Sequence, residues 1–266
     1  MADLSESRRF SNALGSWLSV VGYLMIREFD QKFRGNRLSV VLAVAEPILL
    51  LSLMLALRSL LRTQFPAYGQ STVVFYSSGI FPFYTFMRLS YRTRRAKYDS
   101  SQRLPRVSVT ALLIASSLGE VALSLSTMLA WFLGMWLYGL EEAAPHSIAE
   151  CAKPILLLMT FGFGVGLINS ALSRRFALWA FIYSRLTRGL MLLSGVFLVA
   201  DQLPYFARSI LVWNPLLHGI EWFRLGLYGT YPHHTLDRDY LMLCTGICLF
   251  IGVISYRATL RTPPRR

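Results

Sequence analysis

The chain has 266 residues, 54% of them hydrophobic and 15% charged, with a mean hydropathy of +0.45 and a formal charge of +13. A soluble domain carries about 25% charged residues; here the charge is gathered into clusters between long uncharged stretches, which excludes an ordinary soluble globule and predicts an all-α integral membrane protein. Arginines that flank apolar runs set membrane orientation, so the positive charge does not call for nucleic acid.

The first twenty residues carry Asp3, Glu6, Arg8 and Arg9 and lack an apolar region with a small-residue cleavage site, so no cleavable signal is expected and the first span must serve as its own. Residues 13–37 start apolar around Trp17, Val20, Val21 and Leu24 and end charged, through Arg27, Glu28, Lys32 and Arg34. That pattern predicts a helix lying in the inner interface, with a wet face left for a cytoplasmic partner.

A helix needs about 20 mostly apolar residues to cross about 30 Å of hydrocarbon. Six stretches qualify, at about 38–57, 71–90, 113–138, 154–172, 186–203 and 240–256. The first holds Glu46-Pro47 and the third holds Glu120; structural pairing is the expected use of both carboxylates. The second is loaded with aromatics and runs into a burst of arginines in the loop 91–109. With both termini cytoplasmic, only Arg58, Arg62, Lys153, Arg208, Arg224 and Arg238 of the 27 lysines and arginines fall outside, which sets the topology. Residues 202–231 contain two short apolar pieces separated by Asn214-Pro215, neither long enough to cross, and the proline disfavours one unbroken helix. A re-entrant hairpin over 204–230, dipping in from the outer face, is expected. His218, Glu221 and Arg224 recur every third residue on one side of its second piece, where Glu221 and Arg224 are spaced to pair.

Cys151, Cys244 and Cys248 form neither a disulfide framework nor a zinc site and read as small apolar residues. His233-His234 reads as a solvated pair. Asp237-Arg238-Asp239 has the spacing with which some glycosyltransferases hold a metal and a nucleotide sugar. That rival enzyme reading fails on topology, because the aspartates fall on the outer face, away from cytoplasmic nucleotide sugars. No G-x-x-x-x-G-K-[ST] loop occurs, so the chain is not itself an ATPase and any ATP-driven work must come from a partner.

The ordered series Arg27-Glu28, Glu46-Pro47, Ser78-Gly79-Ile80-Phe81-Pro82-Phe83, Leu104-Pro105-Arg106-Val107, Ser194-Gly195-Val196-Phe197, Leu203-Pro204 and Trp213-Asn214-Pro215-Leu216 with His218, Glu221 and Arg224 resembles the permease subunits of type 2 ATP-binding-cassette exporters. It is most similar to the capsular-polysaccharide and O-antigen branch, from about Trp17 to Tyr256. The resemblance implies a homodimer of six-helix subunits in the bacterial inner membrane, coupled to a cytoplasmic ATPase dimer that binds ATP and magnesium. It further implies a polysaccharide cargo and leaves room for periplasmic and outer-membrane partners. A different cargo, such as a lipid, a teichoic acid or a drug, is the alternative within transport.

By the same resemblance, Arg27, Glu28, Arg92, Arg94, Arg95, Lys97, Tyr98 and Arg103 are candidates for contact with the ATPase. A glycan path needs aromatic platforms and hydrogen-bonding groups, which makes Phe75, Tyr76, Phe81, Phe83, Tyr84, Phe86 and Trp131 candidate lining residues. Packing is the competing use of such aromatics, and Trp136 and Tyr138 fit an interfacial belt.

Overall fold

A computed structural model describes residues 19, 22–24, 26–27, 37–60, 68–95 and 109–261. The described residues form helices, turns and irregular links, with no strand among them. Residues 22–24, 26 and 27 are helical, and Leu24 is seated against Ala111 and Ala115 while Tyr23 and Ile26 point outward. Eight helices follow: α1 (Arg37–Leu60), α2 (Thr72–Arg95), α3 (Val109–Leu137), α4 (Ile148–Arg175), α5 (Trp179–Leu192), α6 (Tyr205–Leu211), α7 (Pro215–Tyr228) and α8 (Arg238–Arg261). Single 3-10 turns stand at Glu141–Ala143 and Ala200–Gln202. Thr110–Leu137, Ile148–Arg175 and Arg238–Thr259 are long and apolar enough to cross a membrane.

Local chemistry sets four of the eight helix starts. Ser147-Ile148-Ala149-Glu150 has the capping-box spacing, and the Ser147 hydroxyl accepts from the Glu150 amide at 3.3 Å. Asn214 caps α7 by accepting from the Leu216 amide at 3.1 Å, with Pro215 at the first helical position, where a missing N–H costs nothing. Asp237 caps α8 through the Tyr240 amide at 2.9 Å. Glu142, from the 3-10 turn, accepts from the amides of Gln70 and Ser71 at 2.6 and 3.0 Å, which places a carboxylate on the positive end of α2.

The long helices gather around α4, which packs against α2, α7 and α8. Close approach is made possible by missing side chains. A Cβ on Gly162 would fall 2.6 Å from the Phe86 carbonyl oxygen, and one on Gly166 would fall 2.5 Å from the Thr93 Cβ. The pair therefore forms a four-residue-spaced slot into which α2 fits, running parallel to α4. Gly164 serves α8 in the same way on another side of α4, with Leu249 and Cys248 next to it.

Both faces of α2 are covered. One joins Phe75, Ile80, Phe83 and Phe86 to Leu158, Phe161, Val196 and Ile220. The other joins Val74, Phe81 and Leu89 to Met128, Phe132, Ile155 and Phe223. The outer surfaces of the bundle remain apolar: Leu49, Leu53 and Leu57 on α1, Leu129 and Leu133 on α3, and Leu243, Ile247, Phe250 and Ile254 on α8 are all exposed. An inside and an outside that are both apolar are what a lipid solvent permits and water does not.

The expected fifth span differs in form. Its helix occupies Trp179–Leu192, ends well short of residue 203, and at 14 residues is about 21 Å long. Beyond it the chain turns at Gly195, which has a left-handed φ of 69°, and stays irregular to the 3-10 turn at Ala200–Gln202. The next region forms two helices, α6 and α7, broken at Asn214-Pro215.

Candidate functional site

The centre of the molecule is built around Arg224. Its side chain lies on α7 and is fully buried. Nη1 donates to the carbonyl oxygens of Gly195 at 2.8 Å and Leu198 at 3.1 Å, and Nη2 donates to that of Val196 at 2.6 Å. Nε donates to the Ser78 hydroxyl at 3.1 Å, and Nη1 also reaches the Tyr231 hydroxyl at 3.3 Å. The guanidinium stands 4.1 Å from the Phe75 ring centre. One side chain thus supplies donors to the irregular backbone after α5 and binds it to α2. Non-helical backbone survives in an apolar interior only when its carbonyls find partners, and a planar five-donor fork suits that task better than an ammonium.

Gly79 completes the joint. A Cβ there would fall 2.5 Å from the Val196 carbonyl oxygen and 2.7 Å from Nη2 of Arg224, so the irregular segment crosses α2 at the one place with no side chain. Burial pushes the Tyr231 phenol up from its ordinary range, with the nearby Arg224 charge opposing.

The three neighbours on α7 act separately. Glu221 does not pair with Arg224 as the spacing predicts; both its carboxylate oxygens accept from the Thr235 hydroxyl at 2.8 Å. The reason is geometric, since the guanidinium is already committed to carbonyls beside α2. His218 is buried and bridges two backbone groups, with Nε2 2.8 Å from the Val212 carbonyl oxygen and Nδ1 accepting from the Asp237 amide at 3.1 Å. That pairing corresponds to the neutral ring protonated on Nε2. Asn214 reaches back to the end of α5, donating to the Leu193 carbonyl and the Ser194 hydroxyl, both at 2.9 Å. Trp213 is exposed, and its carbonyl accepts from the Tyr240 hydroxyl at 2.8 Å. Asp237, the first acid of the D-x-D spacing, is used as the α8 cap.

The faces of the aromatic candidates are occupied by other residues of the same chain. Phe75, Phe83 and Phe86 are essentially without solvent contact, and Tyr76, Phe81 and Tyr84 are buried. Phe81 stacks on Trp131 at 5.8 Å between ring centres, and the Trp131 Nε1 donates to the Ser77 hydroxyl at 2.9 Å. Phe86 stacks on Phe161 at 5.4 Å. In this conformation the aromatics of α2 therefore pack the core rather than face an open channel, because α3, α4 and α7 enclose the helix on both sides. Of the acidic residues inside expected spans, Glu120 is buried on α3 and Glu46 is exposed on α1.

At the other end of α2, 16 residues and about 24 Å beyond Gly79, the basic cluster is graded in exposure. Arg95 is exposed, Arg92 and Arg94 are partly buried, and Arg94 lies 5.6 Å from the Tyr91 ring centre. Tyr91 in turn touches Tyr183 of α5, whose hydroxyl shares a hydrogen bond with Ser90. The last turn of α2 is thereby fastened to α5. Arg27 is helical and partly buried, whereas Glu28, Lys97, Tyr98 and Arg103 lie outside the described residues.

The family model of the ABC-2 type transporters matches residues 19–228. The chain belongs to that family. Among its relatives, this ABC-2 type chain is 27% identical over 243 residues to the polysialic acid transport protein KpsM of Escherichia coli, covering 88% of this chain and 91% of that one. It is 23% identical over 247 residues, 92% of each chain, to the capsule polysaccharide export inner-membrane protein CtrC of Neisseria meningitidis serogroup B. A shorter stretch of 86 residues, 32% of each chain, is 37% identical to the capsule polysaccharide export inner-membrane protein BexB of Haemophilus influenzae.

Within this ABC-2 type chain, the signal for a helix break at Asn214-Pro215 is local and legible. The signal missed in sequence is the run Gly162, Gly164 and Gly166, whose alternate spacing marks α4 as the helix that others approach closely.

Proposed function

We propose that the chain is the membrane subunit of an ATP-driven exporter that moves a capsular or O-antigen-type polysaccharide, lipid-linked at one end, across the bacterial inner membrane. The observation that carries this is the similarity to a polysialic acid transport protein and to capsule export inner-membrane proteins, extending over about nine-tenths of each chain for KpsM and CtrC. Two copies form a homodimer with the glycan path between them. Each copy crosses six times, at about 38–57, 71–90, 113–138, 154–172, 186–203 and 240–256, with both termini cytoplasmic. The fifth crossing is completed by irregular backbone whose carbonyls Arg224 satisfies. Residues 204–230 form the re-entrant outer hairpin, held by Asn214, His218 and Arg224.

Energy comes from a separate ATPase that holds ATP and magnesium. It engages the cytoplasmic loop 91–109 and the helix over 13–37 through Arg27, Glu28, Arg92, Arg94, Arg95, Lys97, Tyr98 and Arg103. The exposure of Arg95 and the tie from the last turn of α2 to α5 support this, because a push on the loop is passed into two helices at once. The buried aromatics of α2 act as the stiff member that carries the push across the membrane. The function is tested by deleting the gene in the producing strain and fractionating its polysaccharide. Polymer retained in the cytoplasm and restored to the surface by the intact gene is the expected result; normal surface polymer in the deletion strain overturns the proposal.

A further inference from the structure

At the end of the bundle opposite the α2 arginines, the start of α2, the turn between α3 and α4, and the end of α7 enclose an open cleft of about 520 Å³. Small-molecule sites fall in the range of about 300–1,000 Å³. Tyr68, Gln70, Glu142, His146, Tyr228 and Thr230 line it, and among the described residues no lysine or arginine does. Tyr228 and Thr230 stand at the end of the hairpin, and none of the lining residues is among those proposed to contact an ATPase.

The walls are firmly built. Tyr68 meets Tyr228 and Tyr231 edge to face at 5.2 and 5.0 Å, and its hydroxyl shares a hydrogen bond of 2.9 Å with the Thr230 hydroxyl. Gly69 and Gly229 both hold left-handed φ values, 75° and 73°, and both are crowded: a Cβ would fall 3.0 Å from Glu142 Oε2 at the first and 2.9 Å from the His146 ring at the second. The Glu142 carboxylate is held by the Gln70 and Ser71 amides, which leaves a free lone pair on each oxygen. The Tyr228 hydroxyl is buried beside Ser78 and Arg224, so Tyr228 offers the cleft its ring rather than its hydroxyl.

Aromatic rings beside fixed acceptors and a side-chain amide match a sugar unit, which presents apolar C–H faces and a ring of hydroxyls. We propose that this cleft is a saccharide-binding subsite at the outer end of each subunit, selective for neutral or amino sugar units. Glu142 and the neighbouring Glu141, unopposed by any cation in the lining, repel a carboxylated unit. The inference rests on the export reading above, which supplies the cargo class and the outward direction. It adds a place where polymer leaving the membrane is gripped.

The test uses the full chain with its ATPase in lipid nanodiscs and, as probe, short oligosaccharides cut from the polymer that the producing strain exports. Saturable binding is expected, weakened about tenfold or more by Tyr68→Leu, Gln70→Ala and Thr230→Val. Tyr205→Ala, an exposed aromatic on α6 away from the cleft, serves as control and leaves binding unchanged. Gln70 and Thr230 are exposed, so their variants fold and keep the test decisive if Tyr68→Leu does not. No binding to the unaltered protein, equal affinity across the variants, or tighter binding of fragments carrying carboxylated units overturns the subsite. The gene deletion described above fails or succeeds independently, so loss of the cleft proposal is distinguishable from loss of the export reading.

Discussion

Replacing Arg224 by methionine removes the donor set that makes an irregular segment tolerable in the interior. Three carbonyl oxygens, on Gly195, Val196 and Leu198, and the Tyr231 hydroxyl lose the Arg224 donors, while the Ser78 hydroxyl keeps its bond to the Phe75 carbonyl. An orphaned buried polar group costs about 1–3 kcal/mol, and the stacking on Phe75 adds about 1 kcal/mol more. Relief from burying a charge and partial entry of water oppose these losses, leaving about 3–5 kcal/mol net. For a chain of this size that is a fall in melting temperature of about 10 °C. Arg224→Lys keeps the charge but gathers its donors at one point, so it recovers less than half of the loss. The measurement is thermal unfolding of the purified protein in detergent or nanodiscs, followed by tryptophan fluorescence. A shift below about 2 °C for Arg224→Met would mean that the 195–198 carbonyls do not depend on this side chain, and the account of the short fifth helix would fall with it.

The remaining expectations concern packing, capping and coupling. Gly166→Ala places a methyl 2.5 Å from the Thr93 Cβ and costs about 1–3 kcal/mol in thermal unfolding; Gly134→Ala, on α3 with nothing within 4 Å, is neutral or stabilising by up to about 1 kcal/mol. Equal behaviour of the two would refute the close-approach role of α4. Glu142→Gln keeps an acceptor at the start of α2 but loses its charge, and costs about 0.3–1 kcal/mol, more at low than at high salt. Reversing Arg92, Arg94 and Arg95 together leaves the protein inserted but uncouples export, read as surface polymer against membrane protein level. Unchanged export with unchanged ATPase association would remove these arginines from the contact.

What could be read in advance was whatever depends on neighbours along the chain. The Asn214-Pro215 break, the spacing of His218, Glu221 and Arg224 on one helix, and the arginine burst after an aromatic helix are all local patterns, and the structure contains each of them. Partner choice was not legible. Arg224 finds carbonyls about 28 residues back along the chain instead of the carboxylate one turn away, and only the fold brings Gly195, Val196 and Leu198 to it. The fifth helix ends early for the same non-local reason: residues 193–199 are apolar enough to continue, yet Gly195 turns them toward α2 and Arg224 receives them. The aromatics of α2 could be counted from sequence but not oriented, because two-sided enclosure by α3, α4 and α7 depends on the glycines of α4.

The most direct measurement of the central claim is uptake of labelled lipid-linked polysaccharide into inverted inner-membrane vesicles that contain this chain and its ATPase. The account predicts accumulation that requires ATP hydrolysis and is abolished when Arg92, Arg94 and Arg95 are reversed. Accumulation that proceeds without ATP, or vesicles that hydrolyse ATP and move no polymer, would contradict it.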